Sequence, residues 1–468
     1  MITIKRSYEL ITPLFGGGVQ PQQYDPITIV RPTAIRGHLR FWWRAVRGGQ
    51  YDGDLAKMRT AEAELWGSAS NKDAGGPSKV QIEVIITEDD RKRLSPLIPE
   101  HRDLPTFDQR GQSVNVADRK KARELKGMSY YKKRGSNELK SLTIGDPESC
   151  DSYLAFPLRS DRGKPAGQVW EGVRFQIKIT YPQQQKAEVE AALWAWETFG
   201  GIGARTRRGF GSLQVNEPTP TSTASIAHPM QWIKEQLAKH IAGTNWPADV
   251  PHLSLEPNFR LIQQQKTDAK TIWRKLGTHL RNFRQQRSGN NGRGRSRWTE
   301  PDLIRAEKQQ WYVDPQDPHH NHKKPVYGKV IRATPRAVFG LPILFQFHYQ
   351  QKGTKANTDP DGNNQVTNSE KDKTRFASPL IIRPLVLPDG QTVGLAMLLE
   401  GSKPPTLQAD FVQDRSKRLT IGINADDAKL LNIKGLEVIA GQPIKPRDLL
   451  LAFLRFIDLE ETSAGTRR

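Results

Sequence analysis

The stretch Val30-Arg31-Pro32-Thr33-Ala34-Ile35-Arg36-Gly37-His38-Leu39-Arg40-Phe41-Trp42-Trp43-Arg44-Ala45-Val46-Arg47-Gly48-Gly49 reads as one helix with two faces. Ile35, Leu39, Trp42 and Val46 recur at helical spacing and predict an apolar stripe against a core. Arg36, Arg40, Arg44 and Arg47 recur on another side, so four guanidinium groups leave one rigid element together, with Phe41 and Trp43 beside them. Guanidinium planes pair with phosphate oxygens and exposed aromatic rings stack on unpaired bases, which makes a nucleic acid the expected partner. Thr33 is expected to cap the first turn, and Gly48-Gly49 to stop the helix. None of the four arginines has an acidic partner within the helix, where surface pairs usually form, and this counts against a merely solvated basic face.

Composition points the same way. Over 468 residues, 71 Lys and Arg against 50 Asp and Glu give a net charge of +21, the footprint of a polyanionic partner. A membrane surface is the competing polyanion, but no apolar run of about 18 residues exists for a spanning helix. Met1-Ile2-Thr3-Ile4-Lys5-Arg6 lacks the apolar core of a signal peptide, so a cytoplasmic protein with no membrane partner is expected. The single cysteine, Cys150, excludes an internal disulfide and a thiolate metal cluster. Hydrophobic residues at 36% suffice for two cores of ordinary size, while a mean hydropathy of −0.66 implies much polar loop.

Outward from the arginine helix, Ile2 to Thr12 predicts an opening strand, followed by a Gly16-Gly17-Gly18 turn. Leu55 to Trp66 predicts a second helix and Lys79 to Thr87 a strand. The pattern dissolves over about 94–146, where Arg110 to Arg134 holds nine basic and two acidic residues: a basic insertion that orders on nucleic acid, or a solvated loop. Tyr153 to Leu158 and Val173 to Tyr181 predict a strand pair, and Lys186 to Phe199 an amphipathic helix with Val189, Leu193 and Trp196 inward.

That helix runs into Gly200-Gly201-Ile202-Gly203-Ala204-Arg205-Thr206-Arg207-Arg208-Gly209-Phe210-Gly211-Ser212-Leu213-Gln214-Val215. Its glycines, Gly201 and Gly203 among them, permit positive φ and close backbone approach, so amides can face phosphates while Arg205, Arg207 and Arg208 supply charge. The order helix, loop, strand is the reverse of a dinucleotide-binding loop, and no Gly-Lys-Ser or Gly-Lys-Thr follows. Arg208-Gly209-Phe210-Gly211 matches the opening of an RNP1 motif, but Ser212 and Leu213 depart from it. A tight structural turn remains the alternative.

Together, a strand, a glycine turn, Arg31 to Val46, the Leu65-Trp66-Gly67-Ser68 segment and Gly200 to Leu213 resemble the RAMP (repeat-associated mysterious protein) superfamily of CRISPR effectors over roughly residues 1–216. Arg-Pro before a Phe-Trp-Trp-Arg core most resembles the family of first RAMP subunits of type III-B (Cmr) complexes. The resemblance implies an α+β fold of two tandem ferredoxin-like (RRM-like, βαββαβ) domains: 1–216, a linker and connecting helix over 217–250, and a degenerate second domain over 251–468. It also implies guide RNA, single-stranded target RNA and other RAMP-type subunits as partners, with no cofactor and no metal. The RNA-binding residues expected are Arg31, Arg36, His38, Arg40, Phe41, Trp43, Arg44, Arg47, Gly201, Gly203, Arg205, Arg207, Arg208 and Phe210.

The second half is less diagnostic. Thr271 to Arg287 and Arg447 to Leu459 predict helices; Ala337 to Tyr349, Phe376 to Pro384 and Gly394 to Leu399 predict strands; Gln350 to Thr374 reads as a disordered loop. The arginine-glycine segment Ser288 to Trp298 suits RNA or is merely flexible. Catalytic signals are thin. His319, His320 and His322 lack a placed carboxylate for a metal. His38 is a polar neighbour of phosphate rather than a general base. Asp25, in the loop before the helix, is the catalytic candidate because related backbone subunits carry an aspartate near there, yet no second acid accompanies it. The leading expectation is a noncatalytic RNA-binding subunit near the guide 3′ end; the alternatives are a metal-dependent endoribonuclease or guide-processing enzyme, and a free RRM-like module.

Overall fold

The computed structural model describes residues 1–14, 16, 27–71, 74–86, 96–97, 106–107, 113–114, 129–132, 139–142, 153–156, 169–216, 226–263, 267–288, 294–311, 324–345, 347, 364–368, 375–404, 407–410 and 418–465. It is an α+β protein whose chain divides into two compact units.

The first unit holds residues 1–255, 261–278 and 382–395. Its sheet is built from β1 (Ile2–Leu10), β2 (Gln81–Ile85), β3 (Arg174–Tyr181) and β4 (Leu213–Val215), in the order β4-β1-β3-β2 and antiparallel throughout. Helices α1 (Pro32–Arg47) and α2 (Leu55–Trp66) lie between β1 and β2 in the chain, and α3 (Lys186–Phe199) between β3 and β4. Apart from the extra helix and the long insertion, this is βαββαβ with strands ordered fourth, first, third, second.

Alternation decides the faces. Tyr8, Leu10, Phe175, Ile177, Ile179 and Tyr181 are buried, and α1 packs on α3 beside them. The opposite face is polar and paired with itself: Thr3 bonds Thr180, Gln176 donates to Ser7 and Arg174 pairs with Glu9. Lys178 pairs with Glu83 there at 3.3 Å. No aromatic ring of β1 or β3 stands on it.

Helix α4 (Pro229–His240) completes the unit. Beyond it the Trp246 indole donates to the Arg44 carbonyl at 2.9 Å. Gly48 and Gly49 do not simply stop α1; they continue as a 3-10 turn, Gly48–Tyr51. A Cβ on either would stand 2.9 Å from the Trp246 ring, so close packing selects them.

The second unit comprises 256–260, 279–381 and 396–468. The second half of the chain supplies β5 (Phe259–Gln263), α5 (Ala269–Arg284), α6 (Glu300–Lys308), β6 (Ile343–Phe345), β7 (Asn364–Asn368), β8 (Leu380–Val386), β9 (Thr392–Leu398), β10 (Leu407–Asp410), β11 (Arg418–Leu419) and α7 (Pro446–Gly465). One sheet is ordered β5-β9-β8 and the other β6-β7-β10-β11. The core of this unit gathers Phe283, Trp298, Phe339, Phe453 and Phe456, with the Trp298 indole donating to the Phe283 carbonyl.

Several expectations are corrected. Residues 153–156 form a short helical turn, not a strand. The strand expected over Ala337 to Tyr349 is a 3-10 turn, Pro335–Phe339, and only then β6, because Gly340 (φ 116°) and Pro342 break extension. β7 falls inside the stretch expected to be disordered.

Candidate nucleic-acid interface

Helix α1 begins differently from the expectation. Arg31 is the N-cap position without a side-chain cap, and Pro32 is the first helical residue, its fixed φ suited to that place. Thr33 is therefore inside the helix and exposed. Ile35, Leu39, Trp42 and Val46 are buried as the spacing requires.

The arginines do have acidic partners, supplied by other helices. Arg40 Nε donates to Glu62 Oε1 of α2 at 2.8 Å, and Arg44 donates to the same oxygen at 2.5 Å. Glu62 is only 5% exposed. Arg47 donates twice to Glu188 Oε1 of α3, at 2.9 and 2.6 Å, while the Trp43 indole donates to Glu188 Oε2 at 2.7 Å. Three of the four guanidinium groups thus tie α1 to its neighbours. Arg36 makes no hydrogen bond or ion pair among the described residues, and its Nε is buried without a partner.

The aromatic residues divide similarly. Trp43 is 1% exposed and Phe210 is fully buried, edge-on to Trp273 at 4.9 Å. Neither ring is open to a base, so of the three aromatic residues expected at the interface only Phe41 can stack as the structure stands. Phe41 is partly exposed, and the Arg207 guanidinium lies 5.4 Å from its ring centre. Burial lowers the pKa of His38, which disfavours the charged imidazolium. At 100° per residue, Arg36 lies to one side of the exposed strip of Thr33, Gly37 and Ala34, and Phe41 lies within that strip, between Gly37 and Ala34.

The glycine-rich loop joins this side through Arg207. Thr206–Arg208 form a 3-10 turn entered by Arg205 at φ 58° and left by Gly209 at φ 79°. Burial pushes the Arg207 guanidinium down to about 10, a cation still charged at neutral pH but short of water. Arg205 is half-buried and Arg208 buried.

The glycines are required by the packing of the loop itself. A Cβ on Gly211 (φ 58°) would lie 1.9 Å from the Ile202 carbonyl oxygen, and one on Gly201 2.8 Å from that of Gly211. The Ile202 amide donates to the Gly211 carbonyl, and the Gly211 amide to that of Pro13. Gly203 takes φ 85° beside Arg205. The RNP1-like segment therefore sits in a turn with Phe210 inward, not on a central strand with exposed rings.

Two residues that the sequence reading passed over hold this loop. Trp273 of α5 donates its indole hydrogen to the Arg208 carbonyl at 2.8 Å, and Arg383 of β8, fully buried, donates to the carbonyls of Glu197, Gly200 and Leu213. An arginine inside the apolar run Leu380 to Leu385 was the available signal.

In the second unit, Arg295 bonds Asp302 and Arg297 bonds the carbonyls of Arg287 and Asn432, so the described part of the arginine-glycine segment is an internally bonded bridge rather than a flexible tail. Asp25, His319, His320, His322 and the basic residues of 110–134 other than Lys132 lie outside the described residues; of Lys132 only the backbone is described. Among the described residues no group of three His, Cys, Asp or Glu side chains could hold a metal ion, and no helix is long and apolar enough to cross a membrane.

The first unit thus combines an antiparallel sheet with helices on one face, a basic helix and a glycine-arginine loop that reaches it through Arg207. Residues 7–214, the region that carries both motifs, match the model of the RAMP superfamily. Over 217 residues, 44% of this chain and 91% of the relative, the chain is 23% identical to CRISPR system Cmr subunit Cmr1-2 of Pyrococcus furiosus. Over 189 residues, 40% of either protein, it is 23% identical to Cmr subunit Cmr1-1 of that organism. Among solved structures it is similar to Cmr1 from Pyrococcus furiosus in its apo form (16% identity, 89% of this chain and 92% of that one, TM-score 0.43). It is also similar to a chain of the type III-B Cmr-beta complex bound to cognate target RNA (12% identity, 86% and 95%, TM-score 0.40).

Proposed function

We propose that this chain is a noncatalytic RNA-binding subunit of a type III-B CRISPR effector complex, placed near the 3′ end of the guide RNA, where it helps to capture single-stranded target RNA in antiviral defence. Its partners are then the guide, the target strand and other RAMP-type subunits in the cytoplasm, and the second half of the chain is a degenerate copy of the ferredoxin-like first. The observation that carries this reading is the division among the arginines. Arg36 is left without a partner at one edge of an exposed strip of small side chains, and Arg207 is poor in water beside Phe41, whose partly exposed ring lies within that strip. A single strand laid along that strip meets Arg36 at its edge and a ring that can stack, with the Arg207 cation against that ring.

Tagged protein expressed with its neighbouring RAMP subunits and a guide should copurify as one ribonucleoprotein. A chain that stays monomeric and carries unrelated RNA is a free binding module instead. Magnesium-dependent RNA cleavage that vanishes in Asp25→Asn would replace the noncatalytic reading with the nuclease one.

A further inference from the structure

Arg383 is a cation with no water around it, fully buried in β8. Its Nη1 donates to the carbonyls of Glu197 and Gly200, at 3.1 and 2.6 Å, and its Nη2 to that of Leu213 at 2.9 Å. Its Nε donates to the Pro384 carbonyl at 3.0 Å. Glu197 and Gly200 close helix α3, whose last carbonyls carry the negative end of the helix dipole and lack partners of their own. Leu213 opens β4. One planar fork thus grips both ends of the loop that carries Arg205 and Arg207. Trp273 grips its middle at Arg208, and a Cβ on Gly209 would stand 2.6 Å from that indole.

We propose that Arg383 is the positioning residue of the glycine-rich loop: it holds the loop ends at the separation that sets Arg207 over Phe41, so the cationic half of the RNA grip depends on a residue far downstream in the chain. The inference rests on the RNA-binding reading above. Lysine retains the charge but not the fork, so it cannot span α3 and β4 at once.

The test uses the full chain with Arg383→Lys and, as a milder change should that variant fold poorly, Trp273→Phe. Hydrogen exchange without RNA should show loss of protection at the amides of Ile202, Arg208, Gly209 and Gly211, with α1 unchanged. Single-stranded RNA affinity should fall about tenfold, one charge-assisted contact, and the slope of log K against log salt by about 0.7. Arg207→Ala should give the same loss, and the double variant no more than either alone. Unchanged loop protection, or losses that simply add, would overturn the positioning role. If Arg207→Ala itself leaves RNA binding intact while the loop amides still lose protection in Arg383→Lys, the RNA-binding reading fails and the structural clamp stands.

Discussion

Residue chemistry separates the arginines that build the molecule from those available to a ligand. Arg40 and Arg44 share one oxygen of the buried Glu62, so Glu62→Gln leaves two cations side by side and should cost about 1–3 kcal/mol in denaturant unfolding, less than a fully buried pair because the arginine ends are partly wet. Two other groups give a pH signature. Removal from water raises Glu197 to about 7, against the Tyr8 hydroxyl bond and the Arg6 charge. The folded state then binds that proton more tightly, and this contribution to stability is lost as pH rises from about 4.5 through 7. Burial, then Lys239 and Arg47, lowers His240 to about 4, where it stacks on Trp194, so its contribution runs the other way and is lost as pH falls from 6.5 through 4. The two oppose each other between about 4.5 and 6.5. Glu197→Gln should expose the histidine's rising slope there and raise stability above pH 7, read from denaturant midpoints against pH.

At the scale of elements, the loop between α3 and β4 is rigid by construction. Gly211→Ala meets both a positive φ and the Ile202 carbonyl, and should destabilise the protein by about 2–4 kcal/mol, seen as a lower thermal midpoint. Trp43→Phe drops the bond to Glu188 and leaves part of the indole's buried volume empty, a loss of about 2–3 kcal/mol. The periodicity of α1 and α3 and the order helix, loop, strand were legible in the sequence, because apolar spacing reports which face is buried. Burial of Trp43 and Phe210 was not legible, since an aromatic residue beside arginines looks the same whether it stacks on a base or caps a core. The partners of Arg40, Arg44 and Arg47 were equally invisible: they come from α2 and α3, 18 to 141 residues away, and only the fold brings them near. Arg383 could be seen only as an oddity in an apolar strand.

For the whole molecule, a net charge of +21 attracts polyanions but does not say where they sit. The open sheet face, where an RRM-like module would stack bases, offers no ring from β1 or β3 and pairs Glu9 with Arg174 and Glu83 with Lys178. Arg174→Ala with Lys178→Ala should therefore leave the salt dependence of RNA binding within about 0.3 of wild type in slope, well under one contact. The helix and loop side carries the central claim. The deciding measurement is a salt titration of single-stranded RNA binding, with duplex DNA alongside, for wild type, Arg36→Ala with Arg207→Ala, and Arg40→Ala with Arg44→Ala. The account predicts that the first pair lowers the slope for RNA by about 1.4, two phosphate contacts, while the second pair lowers thermal stability and keeps the slope. Loss of slope only in the Arg40 and Arg44 variant, or equal binding to both nucleic acids untouched by Arg36 and Arg207, would contradict it.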